Sequence, residues 1–531
     1  MPRCRNADFG RGFERDEMIW HIFKKDLRLV WHMVTAVALM GWLYTITNYH
    51  NDHTVSNPWR MDTLLMIVQI LASTLLVVSV VQLDALPGVR QDWLIRPINR
   101  RDLLLAKLLF VLLMVQGPIF AADVAVALAD GFPAGQALLT SLLRSINYFT
   151  FFLAPTLAFA SITRSFTETI VAVVAAAATF FGLMQMINIQ FPWHWRVVGT
   201  NDVFWVVELC VLAILAAGVA AVLMVQYFMR RTTAARWMTA SISLLLVVAN
   251  FMPWQPVFAI QQRLSRDPGV ASAVRLEFQP SLGRYREPSG TRTFYQRHGR
   301  EEGIVLHIPI AITGLPTDSV LRTDLMTARV TGPDGKTADL GFGNARSVWS
   351  EDSAIAGDRP DYPLYVGAAA FGRFRDQTLR LDIESSLTLL RLNDTRAIEA
   401  LDGQQTIAEL GRCQSNVNRS GTAVHVDCLQ AGTTPPCTTF TLEHAANGTR
   451  NPPVVRCEGD YDPFFMQILP DALKRVNVQV FFRDPAERFH LPVDGSQLRE
   501  SRVVMRLYRP EAHFTRHVVI PHFRLSDWLP L

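Results

Sequence analysis

The sequence predicts a helical polytopic membrane domain of about seven spans, joined to a mainly β, sandwich-like C-terminal domain on the far side of the bilayer. Three observations predict this. Seven apolar stretches fill the first half of the 531 residues, near 29–47, 62–84, 103–128, 145–163, 169–189, 204–228 and 237–252. A bilayer core takes about 20 apolar residues per helix, and all but the last reach or approach that. Basic residues sort to alternate connections between these stretches. Beyond Trp254 the texture changes to short alternating runs separated by turn signals. The boundaries follow: 1–28 as a cytoplasmic N-terminus, 29–258 as the spanning domain and 259–531 as an extracytoplasmic domain, with room for two modules.

The charge is uneven. Residues 1–252 hold 19 Lys/Arg against 15 Asp/Glu, which is the whole net excess of +4, while residues 253–531 hold 32 of each. A neutral, mixed-sign C-terminal half offers no nucleic-acid surface. Lysine and arginine bias in short loops orients a polytopic protein. With the N-terminus inside, 16 basic residues fall on the inner side and three, Arg60, Arg144 and Arg196, on the outer. An odd number of spans then puts residues from about 256 onward outside. The first span reads as retained rather than cleaved, because about 28 residues precede it and no small-x-small site follows it.

Residues 16–27 read as an amphipathic helix ahead of the first span. Met18, Ile19, Ile22 and Phe23 form its apolar face, with Trp20 and Leu27 at the edges and Lys24, Lys25 and Arg28 placed to meet anionic headgroups.

The connection between the second and third spans is the most specific segment. Pro97 ends any preceding helix and Asn99 caps the next, with Asp102 three residues on. A short element near 91–95 is isolated between two bends. It offers Trp93, Leu94 and Ile95 on the cytoplasmic side, flanked by Arg90, Arg96, Arg100 and Arg101. An apolar-aromatic tip with a basic rim suits protein docking.

The stretch Arg96, Pro97, Ile98, Arg100 or Arg101, then Leu103–Leu105 and Lys107, resembles the cytoplasmic loop of type-2 ABC exporter permeases. The elbow helix before the first span is similar to that family too. The resemblance covers residues 15–230, so the seventh span and the C-terminal domain lie beyond it. It implies a permease subunit of an ATP-driven exporter in the cell (inner) membrane, working as a homo- or heterodimer. A separate ABC ATPase subunit would dock on loop 85–102 through Trp93, Leu94, Ile95, Arg96 and Arg100.

Polar residues within the spans are few: Gln69, Gln82, Gln116, Asp123, Gln185 and Glu208. Ionisable groups in hydrocarbon are costly and face protein or water. Asp123, Glu208 and Gln116 are therefore candidates for a translocation path, against the simpler reading that Asp123 and Glu208 reach the outer headgroup layer. Gly117-Pro118 should kink the third span. The small residues Ala172 and Ala175–Ala178 suit a fifth span that packs centrally or at a dimer contact.

In the C-terminal half, strands are expected at 303–313, 326–330, 377–383, 422–427, 476–482 and 502–508, with a turn at 331–336 and a module division near 385–405. Cys413, Cys428, Cys437 and Cys457 cluster there. An even number of cysteines in an oxidising compartment reads as disulfides, and the pairing 413–428 with 437–457 is preferred.

No catalytic, cofactor or metal motif is present. Gly335-Lys336-Thr337 ends like a phosphate-binding loop, but position 330 is Val where its first Gly belongs. His513, His517 and His522 read as surface or core residues. The alternative function is a membrane-anchored sensor or assembly protein whose exported domain binds a ligand or partner.

Overall fold

A computed structural model describes residues 11–50, 61–83, 100–190, 204–282, 296–298, 301–342, 348–350, 361–407, 410–417, 423–431, 437–444, 454–456, 473–481 and 499–529. Seven helical segments among them are long and apolar enough to cross a bilayer. They are α1 (Arg11–His50), α2 (Met61–Gln82), α3 with α4 (Arg100–Phe110, Gly117–Ala129), α5 with α6 (Ala134–Tyr148, Ala154–Ile162), α7 (Phe166–Gln190), α8 (Phe204–Met224) and α9 (Thr232–Ala249).

The break inside the first helix comes at Val30, whose backbone leaves the helical region (φ −118°, ψ 16°). This separates the expected elbow from the expected span. The elbow's face is buried in protein: Ile22 and Phe23 are almost fully covered, and Phe23 meets Phe110 of α3. Met18 and Trp20 remain exposed.

Two interruptions share one cause. Proline has no N–H to donate, and its ring collides with the carbonyl four residues back. Pro118 and Pro155 each follow a π turn, Val111–Gln116 and Phe149–Leu153, that widens the helix just upstream. There Gly117 N–H bonds to the Leu112 carbonyl and Ala154 N–H to that of Phe149, so the ladder continues with a wider ring. The predicted kink at Gly117-Pro118 is thus a π turn.

The fourth apolar segment begins at Ala134, not near 145, and the preceding connection is short. Arg144, counted among the outer loops, lies well inside α5. The reason is visible in α5 itself. Its buried face is polar or small (Ala137, Thr140, Ser141, Arg144, Ser145), while Leu138, Leu139, Leu142 and Ile146 are exposed. Polar inside and apolar outside inverts the water-soluble pattern, and that stripe masks the segment's hydropathy.

After α9, helix α10 (Trp254–Arg263) leads to antiparallel strands β1 (Arg275–Phe278), β2 (Gln296–His298), β3 (Glu301–Thr313), β4 (Ser319–Thr331), β5 (Thr337–Phe342), β6 (Val348–Ser350) and β7 (Asp361–Gly367). Beyond helix α11 (Ala368–Phe374) come β8 (Leu379–Glu399), β9 (Gln404–Ile407), β10 (Gly411–Val417), β11 (Ala423–Ala431), β12 (Cys437–His444), β13 (Val454–Arg456), β14 (Leu473–Phe481) and β15 (Ser501–Phe523). The large sheet runs β1-β3-β7-β5-β4-β8-β15-β12-β13, and the second runs β14-β11-β10-β9.

Every expected strand run overlaps a strand, although 377–378 precede β8 and 422 and 482 lie outside the described residues; β8 runs unbroken to Glu399, through most of the expected division. Strands β9 to β14 form the second module, built on the far ends of those two long strands. There the small sheet (Val424, Val426, Val478, Val480) packs on the large one (Ile398, Phe440, Leu442, Val503, Met505) as a sandwich. The first module is instead a curled sheet, with β1 brought against β15 around Leu306, Ile308, Leu381, Leu389 and Ile520. The 331–336 turn joins β4 to β5, with Gly335 at φ +75°. Gly314 (φ +72°) is the tightest position: a Cβ there would sit 2.0 Å from the Ala273 carbonyl oxygen.

Cys413 and Cys428 face each other in register on β10 and β11 and are disulfide-bonded, as the preferred pairing has it. Cys437 is disulfide-bonded too. Cys457 and Cys4 lie outside the described residues, and Cys210 is a free thiol.

The two halves meet through α10. Trp254 packs with Val206 and Val207 of α8 and Leu325 of β4, and its indole N–H donates to Ser386 Oγ at 3.1 Å. Beside it, His513 is held at both ring nitrogens. Thr388 gives its hydroxyl proton to Asp324 (2.5 Å), so its oxygen accepts from Nδ1–H of His513 (2.8 Å). Nε2 then accepts from the Gln261 amide (3.4 Å). This is a neutral imidazole. Burial pushes its pKa down to about 4; Asp324 opposes the shift and the Arg322 paired with it adds to the shift.

A histidine buried in its neutral form binds fewer protons folded than unfolded. Its contribution is therefore complete above the unfolded value near 6.5 and is lost as pH falls toward 4, amounting to about 3 kcal/mol. The thermal midpoint of the intact protein should drop over that window, and His513→Gln should flatten the drop. An unchanged pH profile in the variant would refute the assignment.

Candidate functional site

Two clusters of charged and polar groups buried among the apolar helices stand out, one at each end. At the end where α2 stops and α3 starts, Lys107 is fully buried. Its ammonium donates to Asp26 Oδ2 on the elbow and to the Val80 carbonyl near the end of α2, both at 2.7 Å. Asp26 is equally buried. Three segments are thereby tied through one nitrogen. Close by, Arg100 Nη1 donates to the Phe228 carbonyl (2.9 Å), and the Arg101 guanidinium lies over the Phe228 ring (5.7 Å). Phe228 belongs to the π turn Val225–Met229 that ends the α8 segment. The C-terminal edge of loop 85–102 is therefore fastened to the end of α8, and the rest of α3 directly behind it to α1 and α2. Trp93, Leu94, Ile95 and Arg96 themselves lie outside the described residues.

The second cluster brings Asp123 and Gln116 together, as the sequence suggested, and adds residues it did not. Asp123 is almost fully buried and forms an ion pair with Arg144 across α4 and α5. Thr45 Oγ1 donates to the same carboxylate (3.4 Å), and the Arg144 guanidinium lies over the Tyr44 ring (6.0 Å). Gln116 Nε2 donates to the Ser145 carbonyl (2.5 Å), and Gln69 Nε2 to Ser73 Oγ (3.3 Å). Gln116 Oε1 and Gln69 Oε1 are buried without a hydrogen-bond partner.

These groups, with Met66, Ile119 and Tyr148, line a cavity of about 20 Å³, the room of a single water. Two bare acceptors beside a neutral ion pair call for a donor, and the space admits nothing larger than water. Glu208, the third candidate, is half-exposed on α8 and lines no part of this cavity.

The missed residues had signals. Arg144 carries a polar stripe at helical spacing, Thr140, Ser141, Ser145 and Tyr148. Asp26 sits on the elbow's apolar face, one turn after Ile22 and Phe23. No group of three or more His, Cys, Asp or Glu suited to a metal ion occurs among the described residues.

Both ion pairs obey one rule: removing one partner strands a charge in a low-dielectric interior and costs about 3–5 kcal/mol, while replacing both with apolar residues costs far less. Lys107→Met alone should lower the detergent-solubilised thermal midpoint sharply, and Asp26→Leu with Lys107→Met should recover most of it. Arg144→Leu and the Asp123→Leu/Arg144→Leu double variant should repeat the pattern. Equal losses in single and double variants would mean these charges are not coupled in the folded chain.

Comparison with known proteins gives no match: no family model fits the chain, and no curated protein or solved structure is similar to it.

Proposed function

We propose that this chain is the membrane-spanning permease subunit of an ATP-driven exporter of the type-2 ABC kind. It lies in the cell (inner) membrane with its N-terminus cytoplasmic and its β domain outside. A separate ATPase engages loop 85–102, and two permease chains form the working unit. Four findings support the membrane part of this reading. Seven helices have the necessary length and hydropathy. α5 turns its leucines outward and its polar residues inward. Removing Arg144 from the outer loops leaves 16 basic residues inside against two outside. The Cys413–Cys428 disulfide fits a C-terminal domain in an oxidising compartment.

The observation that carries the coupling part is the corner around Lys107. A push on the loop between α2 and α3 reaches the elbow through Asp26, α2 through Val80 and α8 through Phe228. A membrane anchor for a sensing domain has no need of such a linkage directly behind a basic, aromatic loop.

The test has two parts. A reporter active only in the cytoplasm should work when fused after Arg236 and fail after Gln262; activity at Gln262 would remove the topology. With that in place, Trp93→Ala should weaken co-purification of the partner ATPase about thirtyfold, as expected for loss of a buried aromatic anchor worth about 2 kcal/mol. Arg100→Ala should do much less, because Arg96 and Arg101 keep the rim basic. Wild-type behaviour of Trp93→Ala in both binding and transport-linked hydrolysis would leave the sensor or assembly reading in its place.

A further inference from the structure

The fifth apolar helix is the least covered of the seven: none of the most apolar stretch of α7 is buried in the chain. It does not pack centrally. It leans on α2, α6 and α9 along one edge, and between α6, α7 and α9 lies a slot of about 460 Å³. Phe159 of α6, Ala172, Ala175 and Ala176 of α7, and Thr239 and Ala240 of α9 form its walls. That volume falls within the roughly 300–1,000 Å³ of small-ligand sites. Its lining runs along α7 from Glu168 to Leu183, about 22 Å at 1.5 Å per residue. One leaflet's hydrocarbon is about 15 Å deep. The slot is long enough for one extended hydrocarbon chain.

Its two ends differ. The deep end is apolar, at Leu183, Leu244 and Val247. The other end holds Arg236, whose guanidinium donates to Glu168 Oε1 (2.7 Å) and to the Ile162 carbonyl (3.1 Å) while remaining about half exposed. Arg164, Arg230 and Arg231 are exposed at the same helix ends, so four arginines stand there with Glu168. Trp237, beside Arg236, is 73% exposed. Tryptophan on the outside of a spanning helix marks headgroup level, which sets the depth of this end independently of the arginines.

We infer that the slot between α6, α7 and α9 binds one acyl chain of an anionic phospholipid from the cytoplasmic leaflet, with the phosphodiester at the Arg236 end. This rests on the membrane orientation above but not on the ATPase partner. The chemistry is that of basic clefts between spanning helices on the cytoplasmic side, which hold anionic headgroups. Alanine and threonine along the wall leave room for the chain that bulkier side chains would occupy. The occupant is a lipid rather than a free anion because most of the slot is apolar and one of its walls, α7, is otherwise uncovered by the chain.

The full chain is reconstituted in nanodiscs of phosphatidylcholine with a minority of phosphatidylglycerol, extracted in mild detergent and measured by native mass spectrometry. Wild type should retain one phosphatidylglycerol per chain despite the excess of phosphatidylcholine. Ala176→Phe and Ala240→Phe, on opposite walls, should each lower retention about tenfold. Ala178→Phe, exposed on another side of α7, should leave it unchanged. Arg236→Gln should keep a lipid but lose the preference for phosphatidylglycerol.

The inference is overturned if wild type retains no lipid or shows no preference, or if both slot variants retain as much as wild type. It is also overturned if Ala176→Cys cross-links to a second copy, which would make this face a protein contact. If one phenylalanine variant fails to fold, the other and the wild-type lipid preference still decide. Normal lipid retention with no ATPase binding would leave this site intact and remove only the exporter reading.

Discussion

The helical half is organised around one buried ammonium group. Lys107 has no exposure, and an uncompensated charge there would cost several kcal/mol. Its position is therefore fixed by where carboxylate and carbonyl oxygens can reach it. Asp26 comes from the elbow and Val80 from the last turns of α2. The elbow must fold back to bring Asp26 in, and the break at Val30 allows it. The phenylalanine contact between Phe23 and Phe110 follows from that placement. Apolar packing alone would let these helices slide, since their outward-facing and inward-facing leucines are chemically alike. A charged pair with a defined geometry removes that freedom.

Much of this architecture was legible in the sequence where the solvent imposes a simple demand. The apolar runs at α2, α7 and α8 read directly because a helix in hydrocarbon has few other compositions open to it. The elbow's face was legible in part: Ile22 and Phe23 are buried, but against α3, and Met18 is exposed. The start of α5 did not, because its buried polar stripe lowers the average that marks a span. Asp26 and Lys107 could not be matched from sequence, being 81 residues apart. In the β half, local alternation located the strands, but the lengths of β8 and β15 were not local information. Each is sustained by pairing with the other across a whole inserted module. In the candidate site, Gln116 and Asp123 were found as rare polar residues in apolar surroundings. Arg144 was missed through its assignment to a loop.

The junction at α10 shows a different way of joining two chemical environments. Trp254 and Phe258 bury aromatic surface against both halves, while Gln261, Gln262 and Ser265 carry hydrogen bonds into β15. Behind them a chain of partners runs Arg322–Asp324–Thr388–His513, every member with a defined donor or acceptor role. A buried hydrogen-bonded network of this kind is directional in a way apolar contact is not. Displacement of α10 would break hydrogen bonds in the β domain before it disturbed the packing of that domain's core.

The π turns at 111–116 and 149–153 also set a phase. An ordinary helix turns about 100° per residue, and a π turn accommodates one residue more within the same turn. Each π turn therefore rotates everything beyond it by roughly a quarter turn or more relative to an unbroken helix. Asp123 follows the first and Arg144 precedes the second, so the carboxylate's compass bearing depends on the extra residue upstream of Pro118. Loss of one residue from that turn would leave length and hydropathy almost untouched. It would swing Asp123 away from Arg144 and toward the outside of the helix bundle, a frameshift in three dimensions that composition alone cannot register.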